Sequence, residues 1–307
     1  FAANPVTNDD GIHVGGITGF LMSIGYAIRN IKPTRVIICW DGKGGSQRRR
    51  KLYPEYKGNR RVNTRLTRHV SIGTKDDEKV AMKNQLLRLS QYIDTLPLQM
   101  VSVENIEADD SIAYICEQVY PKSQCILMST DRDFLQLVDD RVQVWSPTKK
   151  KFYGTETIKQ EFGLESKNFI ILKCITGDGS DNIPGIRGAG IKSLQKRLPI
   201  LFGQDKVELS EVINYVNDNG DNTQLSKALR SSQELLETNH KLMQLQNVEI
   251  SGYAKESIMN IVNSDINRLN KPMFEQMILE DNLNGIFKNP SLWLRESFLP
   301  LDNIIGQ

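Results

Sequence analysis

The sequence predicts an α/β fold, and three observations predict it. Short β-branched apolar runs recur, amphipathic stretches separate them, and acidic residues follow the ends of the runs. Strands alternating with helices imply a parallel sheet with helices on both faces. Ligands of such sheets bind at the carboxyl ends of the strands.

Residues 17–30 (ITGFLMSIGYAIRN) have helical spacing, with Phe20, Leu21, Ile24, Ala27 and Ile28 on one face. Thr34–Trp40 (TRVIICW) is an apolar, β-branched run of the kind that forms a buried parallel strand. Residues 77–95 read as an amphipathic helix and Gln99–Val103 as a strand. Residues 109–119 are helical again, and Gln124–Ser129 (QCILMS) is another buried strand. Beyond about 155 the pattern turns helical, at 166–177, 191–199, 208–217, 224–245 and 255–280. The polar stretch VNDNGDNT (216–223) interrupts them. Two regions are expected, 1–175 and 176–307, which suits a chain of 307 residues.

Composition bounds the function. At 39% hydrophobic and 25% charged residues, the chain is neither disordered nor collagenous. No run of about 18 apolar residues exists, so a membrane-spanning helix is not expected. Cys39, Cys116, Cys125 and Cys174 are scattered in apolar surroundings without C-x-x-C or histidine partners. They read as reduced and buried, which points to the cytoplasm and away from a zinc site. His13, His69 and His240 suggest no role.

The net charge of +2 conceals two opposed segments. From Lys43 to Arg68 there are ten basic residues and one acid, Glu55, a local net of +9. Arg48, Arg49, Lys57, Arg60 and Arg61 lie here with Tyr53 and Tyr56 interleaved. Clustered cations with aromatic rings suit a single-strand channel, phosphates paired and bases stacked. The whole segment, 43–75, is an insertion, and the row Val62, Leu66 and Val70 suggests that part of it is helical. From Glu104 to Asp140 nine acids face two bases, a local net of −7.

Those acids fall where elements end. Asp41 follows the strand VIICW, while Glu107, Asp109 and Asp110 open a helix. Asp131 and Asp133 follow QCILMS, and Asp178 and Asp181 lie in the GDGSDN turn. Singly, each has a structural reading. Asp109 and Asp110 complement a helix dipole, Asp131 caps a helix, and Asp181 belongs to a turn. Together, carboxylates at one sheet edge repel and call for hard cations such as Mg²⁺ or Mn²⁺. Two such ions serve phosphodiester hydrolysis.

After Asp181 comes NIPGIRGAGIKSL, with Gly185, Gly188 and Gly190 between the apolar anchors Ile186 and Ile191. Glycines that open a helix leave N–H groups free for a phosphate, and Lys192 and Lys196 add charge. This is the helix–hairpin–helix pattern, which grips DNA backbone without reading bases. The competing dinucleotide loop requires a preceding strand, and here a polar turn precedes it.

Taken in order, CWDGKG (39–44), PEYKGNR (54–60), IEADDSIA (106–113), STDRDFLQL (129–137) and ITGDGSDNIPGIRGAGIKSL (175–194) form a specific set. With them the chain resembles the 5′ nuclease (flap endonuclease) family, especially bacteriophage and bacterial 5′→3′ exonucleases, some of which are called ribonuclease H. The resemblance implies a PIN-like (resolvase-like) parallel-sheet core with a helical arch over 43–75. A helix–three-turn–helix (182–198) and C-terminal helices would follow. It implies two Mg²⁺ or Mn²⁺ ions, one near Asp41, Glu107, Asp109 and Asp110, the other near Asp131, Asp133, Asp178 and Asp181. Lys57 and Arg60 would meet the scissile phosphate and Tyr56 would stack on the substrate. The hairpin would hold duplex and bind K⁺. Family members begin with a strand bearing an Asp-Gly motif, so a strand preceding Phe1 is expected.

The expected function is structure-specific hydrolysis of 5′ flaps, nicked duplexes or RNA primers in replication and repair. Expected partners are branched or nicked DNA and RNA/DNA with a 5′ end, and replication proteins such as a single-strand-binding protein. The chain itself is expected to be monomeric. Two alternatives are a non-catalytic DNA-binding homologue and a PIN-like single-strand ribonuclease. The hairpin at 182–194 argues against the second, which needs no duplex grip. The tail KNPSLWLRESFLPL (288–301) is expected to pack rather than to dock a partner.

Overall fold

The computed structural model describes residue 1 and residues 4–60, 72–219 and 221–305, with Arg60 as backbone only. The chain opens with α1 (Gly15–Ile31), β1 (Ile37–Cys39), α2 (Gln47–Leu52), α3 (Lys75–Asp94) and β2 (Gln99–Val101). It continues through α4 (Ala108–Tyr114), β3 (Cys125–Met128), β4 (Val142–Ser146), β5 (Lys151–Tyr153), α5 (Thr155–Phe162) and α6 (Phe169–Thr176). Eight helices complete it. They are α7 (Ile191–Arg197), α8 (Leu209–Asn219), α9 (Gln224–Ser231), α10 (Gln233–Met243), α11 (Gly252–Asn263), α12 (Lys271–Glu280), α13 (Pro290–Ser297) and α14 (Leu299–Ile305).

The chain forms two compact units. One comprises Phe1–Ile38, Val62–Val101 and Asn260–Gln307, the other Cys39–Arg61 and Ser102–Met259. Both are discontinuous in sequence, unlike the expected stretches 1–175 and 176–307.

In the first unit, α1 buries Leu21, Ile24, Ala27 and Ile28 of the predicted stripe and leaves Phe20 half-buried. Thr74 caps α3 through a reciprocal box with Asp77. Its buried side chains include Leu89, Tyr92 and Ile93. The tail packs, as expected: Trp293 stacks on Phe274 at 5.5 Å between ring centroids and meets Phe298 edge-on. The predicted helix over 255–280 is two helices. Asn270 caps α12 by accepting from Met273 N, and Pro272 in its first turn cannot continue a preceding helix.

In the second unit, β3 pairs with β4 in parallel and β4 with β5 antiparallel. The single parallel sheet of the sequence reading is therefore two sheets among the described residues, β1–β2 and β3–β4–β5. The β4–β5 hairpin was not foreseen. Nor is β3 fully buried, because it is an edge strand, and Ile126 and Met128 stand about 40% exposed. The core gathers Phe134, Leu135, Ile158, Leu164, Phe169 and Ile171, each under 2% exposed. The predicted helix over 224–245 divides at Ser232 into α9 and α10. Among the described residues, no helix is long and apolar enough to cross a membrane.

Candidate active site

All eight predicted acids lie in the second unit, and the local backbone explains how they meet. Gly42 follows Asp41, and a Cβ there would fall 1.7 Å from Val103 O, so only glycine lets the two loops close. Gly42 N then donates to Ile106 O, and Asp41 Oδ1 accepts from Ala108 N at 2.8 Å. Asp41 thus caps the helix that carries Asp109 and Asp110. Asp131 plays the equivalent local part, accepting from Asp133 N at 2.8 Å.

The GDGSDN turn is stitched to the PEYKGNR segment. Lys57 N donates to Asp181 O at 2.8 Å, Asn59 Nδ2 to Gly179 O at 2.7 Å, and Asn182 Nδ2 to Glu55 O at 2.9 Å. Lys57 takes φ +55°, a left-handed conformation that this stitching holds in place. Its ammonium then lies 2.5 Å from Glu107 Oε1 and 3.9 Å from Asp181 Oδ2. Glu107 and Asp181, 74 residues apart in sequence, share one cation.

A second cation was missed by the sequence reading. Lys173, on the buried helix α6, reaches Asp133 Oδ1 at 2.8 Å and Asp178 Oδ2 at 2.6 Å. The signal was present, a lone lysine in FIILKCIT five residues before Asp178. Burial alone would raise the Asp178 carboxyl. Lys173 and Ser180 outweigh it and hold the group at about 2. Burial pushes Asp133 up to about 6 against the pull of Lys173, with Asp131 and Asp178 adding to the rise. Burial and then Asp131 push Asp109 up to about 7.

Two residues expected to touch nucleic acid do not face outward. Arg49 is 4% exposed because its guanidinium is spent on Glu107, Asp110 and Leu242 O. Tyr56 is 3% exposed, its hydroxyl 3.4 Å from both Glu107 oxygens, so no face is open for stacking. Arg48 is partly exposed and pairs with Asp110 at 3.1 Å. Arg61 and the row Val62, Leu66 and Val70 lie outside the described residues, as does the side chain of Arg60.

The hairpin forms where expected. Asp178 and Ile183 pair as an antiparallel bridge, and Ile186 N donates to Ile175 O. A Cβ on Gly185 would lie 2.0 Å from Thr176 O, so the close approach demands glycine. Gly188 and Gly190 sit in an exposed turn before α7, with Lys192 exposed on it. Asn239, unforeseen and 1% exposed, donates to Cys174 O at 2.9 Å and Pro184 O at 2.8 Å, pinning the turn to α10.

The donor set fits a hard divalent cation. The ligands gathered here are carboxylate oxygens, and Asp133 Oδ1 is a buried oxygen without a hydrogen bond, close to Lys173 but outside hydrogen-bond geometry. The carboxyls of Asp109 and Asp133 are raised by burial first, with Asp131 adding to both. Among the described residues, no three acidic, imidazole or thiol side chains group tightly enough to hold an ion as they stand. Arg49, Lys57 and Lys173 instead bridge the carboxylates in pairs.

A family profile described as the 5′–3′ exonuclease, N-terminal resolvase-like domain, matches residues 1–163, more than half of the chain. The chain belongs to that family. A 5′–3′ exonuclease of Bacillus subtilis is 30% identical over 197 residues, 63% of this chain and 61% of the relative. DNA polymerase I of the same organism is 28% identical over 204 residues, and the chain spans only 21% of its length. A 5′–3′ exonuclease of Aquifex aeolicus is 26% identical over 297 residues, 95% of this chain and 92% of the relative. In fold the chain is similar to the T5 D15 protein co-crystallized with metal ions. That likeness has TM-score 0.61 at 22% identity and covers 86% of this chain and 91% of that one. The T5 D15 flap endonuclease in a complex with DNA and metal ions gives the same TM-score at 23% identity, covering 87% and 91%. The α/β resolvase-like fold expected from the sequence stands.

Proposed function

We propose that the chain is a divalent-metal-dependent 5′ nuclease that hydrolyses phosphodiesters at 5′ flaps, nicks or RNA primer ends. One observation carries this reading. The stitching of PEYKGNR to GDGSDN sets Lys57 between Glu107 and Asp181, inside a nest that also holds Asp109. Cation and carboxylates in one nest suit a phosphodiester, which needs charge stabilisation as it is cut.

Asp41, Glu107 and Asp109 would hold one Mg²⁺ or Mn²⁺, and Asp131, Asp133, Asp178 and Asp181 a second, partly through water. Such ions supply positive charge that lowers the pKa of a water and stabilises charge on the transferring phosphate. Lys57 orients the scissile phosphate, and Arg60 has the same role by its place in the motif. Lys173 holds Asp133 and Asp178 in register. The exposed turn at Gly188 and Gly190, with Lys192, grips the duplex backbone through its N–H groups. A K⁺ ion at that hairpin, a single-strand-binding partner and a monomeric state belong to the same reading and rest on the family resemblance.

The test is cleavage of a 5′-flap substrate in Mg²⁺ and Mn²⁺. Wild-type protein should release the flap, and Asp131→Ala and Asp178→Ala should not, while still shifting the DNA on a gel. Wild-type-like cutting by both variants would sink the assignment.

A further inference from the structure

Asp110 stands in the IEADD motif beside two carboxylates offered above as metal ligands, and it alone of the three is gripped by both Nη atoms of one guanidinium. It is 1% exposed, and both of its oxygens are taken. Arg49 grips it as a fork, Nη1 to Oδ2 at 2.7 Å and Nη2 to Oδ1 at 2.8 Å, and Arg48 adds a contact to Oδ1 at 3.1 Å. Fork-to-carboxylate pairs are the strongest of the charge-assisted bonds and fix geometry as well as charge.

The remaining donors of Arg49 are also committed. Nη1 donates to Glu107 Oε2 at 2.5 Å, and Nε to Leu242 O at 2.7 Å, near the C-terminus of α10. Glu107 therefore has one oxygen held by Arg49 and the other by Lys57. Every polar nitrogen of Arg49 has a partner, and burial, which alone would strip its charge, is outweighed by Asp110 and Glu107.

We propose that Arg49 and Asp110 form a buried positioning pair. Asp110 is the anchor of Arg49 rather than a metal ligand, and Arg49 orients Glu107 rather than contacting nucleic acid. The pair roots the basic segment, because α2 carries Arg49 and the chain leaving α2 delivers Lys57 to the other oxygen of the same glutamate. This deepens the nuclease reading and rests on it.

The test separates the roles by metal binding and by kinetics, with the full chain. Mn²⁺ binding is titrated by electron paramagnetic resonance without DNA, and flap cleavage is measured at saturating metal. Asp110→Asn is expected to bind Mn²⁺ within about threefold of wild type, and Asp109→Asn at least about tenfold more weakly, the lower end of the range for a disturbed ligand shell. Arg49→Lys keeps the charge but loses the fork. It is expected to lower kcat about tenfold, with the KM for the flap and its salt dependence little changed.

Weakening of Mn²⁺ binding by Asp110→Asn to the extent seen for Asp109→Asn would make Asp110 a ligand and overturn the proposal. So would an Arg49→Lys defect confined to KM, the mark of a substrate contact. Should either single variant melt too low to assay, Arg49→Met with Asp110→Leu removes both charges at similar volume, which buried pairs often tolerate. That double variant should fold and, lacking the group that orients Glu107, show a kcat loss like that expected of Arg49→Lys, and a wild-type kcat in it counts against the pair. If wild-type protein cuts no flap, the nuclease reading fails, and the Mn²⁺ titrations still judge Asp110.

Discussion

The two groups of carboxylates in the site are compensated unequally. Glu107 and Asp110 meet three cations, Arg48, Arg49 and Lys57, all from the basic stretch that follows β1. Asp133 and Asp178 share one, Lys173, from α6. Burial first, with neighbouring acids adding to it, pushes Asp109 and Asp133 up to about 7 and 6, while Lys173 and Ser180 hold Asp178 at about 2. The inequality teaches that the basic segment is part of the acidic pocket's own chemistry. It brings three of the four cations that pair with these acids, Arg48, Arg49 and Lys57, with Lys173 the fourth.

The sharpest way to break this comparison is to remove acids from the undercompensated half. Asp131→Ala and Asp178→Ala should each lower flap cleavage about 10²–10³-fold or more, the scale of losing an essential electrostatic group. Binding of the same substrate should persist, because the hairpin and basic segment are untouched. Single-turnover cleavage and a gel-shift titration read the two effects separately.

Removing the lone cation of that half comes next. Lys173→Met leaves the half-buried Asp133 and Asp178 without their shared cation, though Asp178 keeps its bonds from Ser180. It costs less than the loss of one member from a fully buried pair, which is about 3–5 kcal/mol. Divalent ions bind the folded state and should restore part of it by mass action. The melting temperature of Lys173→Met should therefore fall in chelator and rise more steeply with Mn²⁺ than that of wild type. An equal Mn²⁺ response in both proteins would show that Lys173 does not stand in for a cation.

A smaller effect tests the hairpin. Asn239→Ala removes two hydrogen bonds, one to the buried carbonyl of Cys174 and one to the part-buried carbonyl of Pro184. Leaving such groups unpaired costs about 1–3 kcal/mol. The expected outcome is a lower midpoint in urea unfolding with weaker duplex binding and little change in single-strand affinity.

Much of this was legible in the sequence. Carboxylates at element ends are readable because β1 and β3 are short runs whose termini are marked by the acids themselves. The helix–hairpin–helix was readable because Gly185 has no room for a side chain and its neighbours Ile183 and Ile186 are buried. Other features depend on tertiary placement. Arg48 and Arg49 are adjacent identical residues, and only the packing of α2 decides which is buried. The partnership of Lys57 with Glu107, or Lys173 with Asp133, joins residues tens of positions apart with no periodicity to announce it. The exposure of Ile126 and Met128 follows from β3 being an edge strand, which a run of apolar residues does not reveal.

The smallest expected effect lies outside the site and supplies the control for the comparison. In the first unit Asp302 accepts from Arg268 Nε and Nη2 at 2.8 and 2.9 Å and from Leu269 N at 2.9 Å. The Arg268 bond first, then the Leu269 amide, hold its carboxyl below the ordinary range against the opposing effect of burial. A depressed carboxyl stabilises the fold above its unfolded pKa, and that contribution is lost as the pH falls through the folded value. Arg268 is 59% exposed, so solvent screens the pair and its worth is small. Asp302→Asn should lower stability slightly at pH 7, flatten the loss of stability below about pH 4, where the carboxyl ordinarily titrates, and leave Mn²⁺ binding unchanged. Urea melts at pH 7 and pH 3 measure the first two. A pH 7 loss as large as that of Lys173→Met would erase the distinction between a pair in the acidic pocket and an ordinary surface pair.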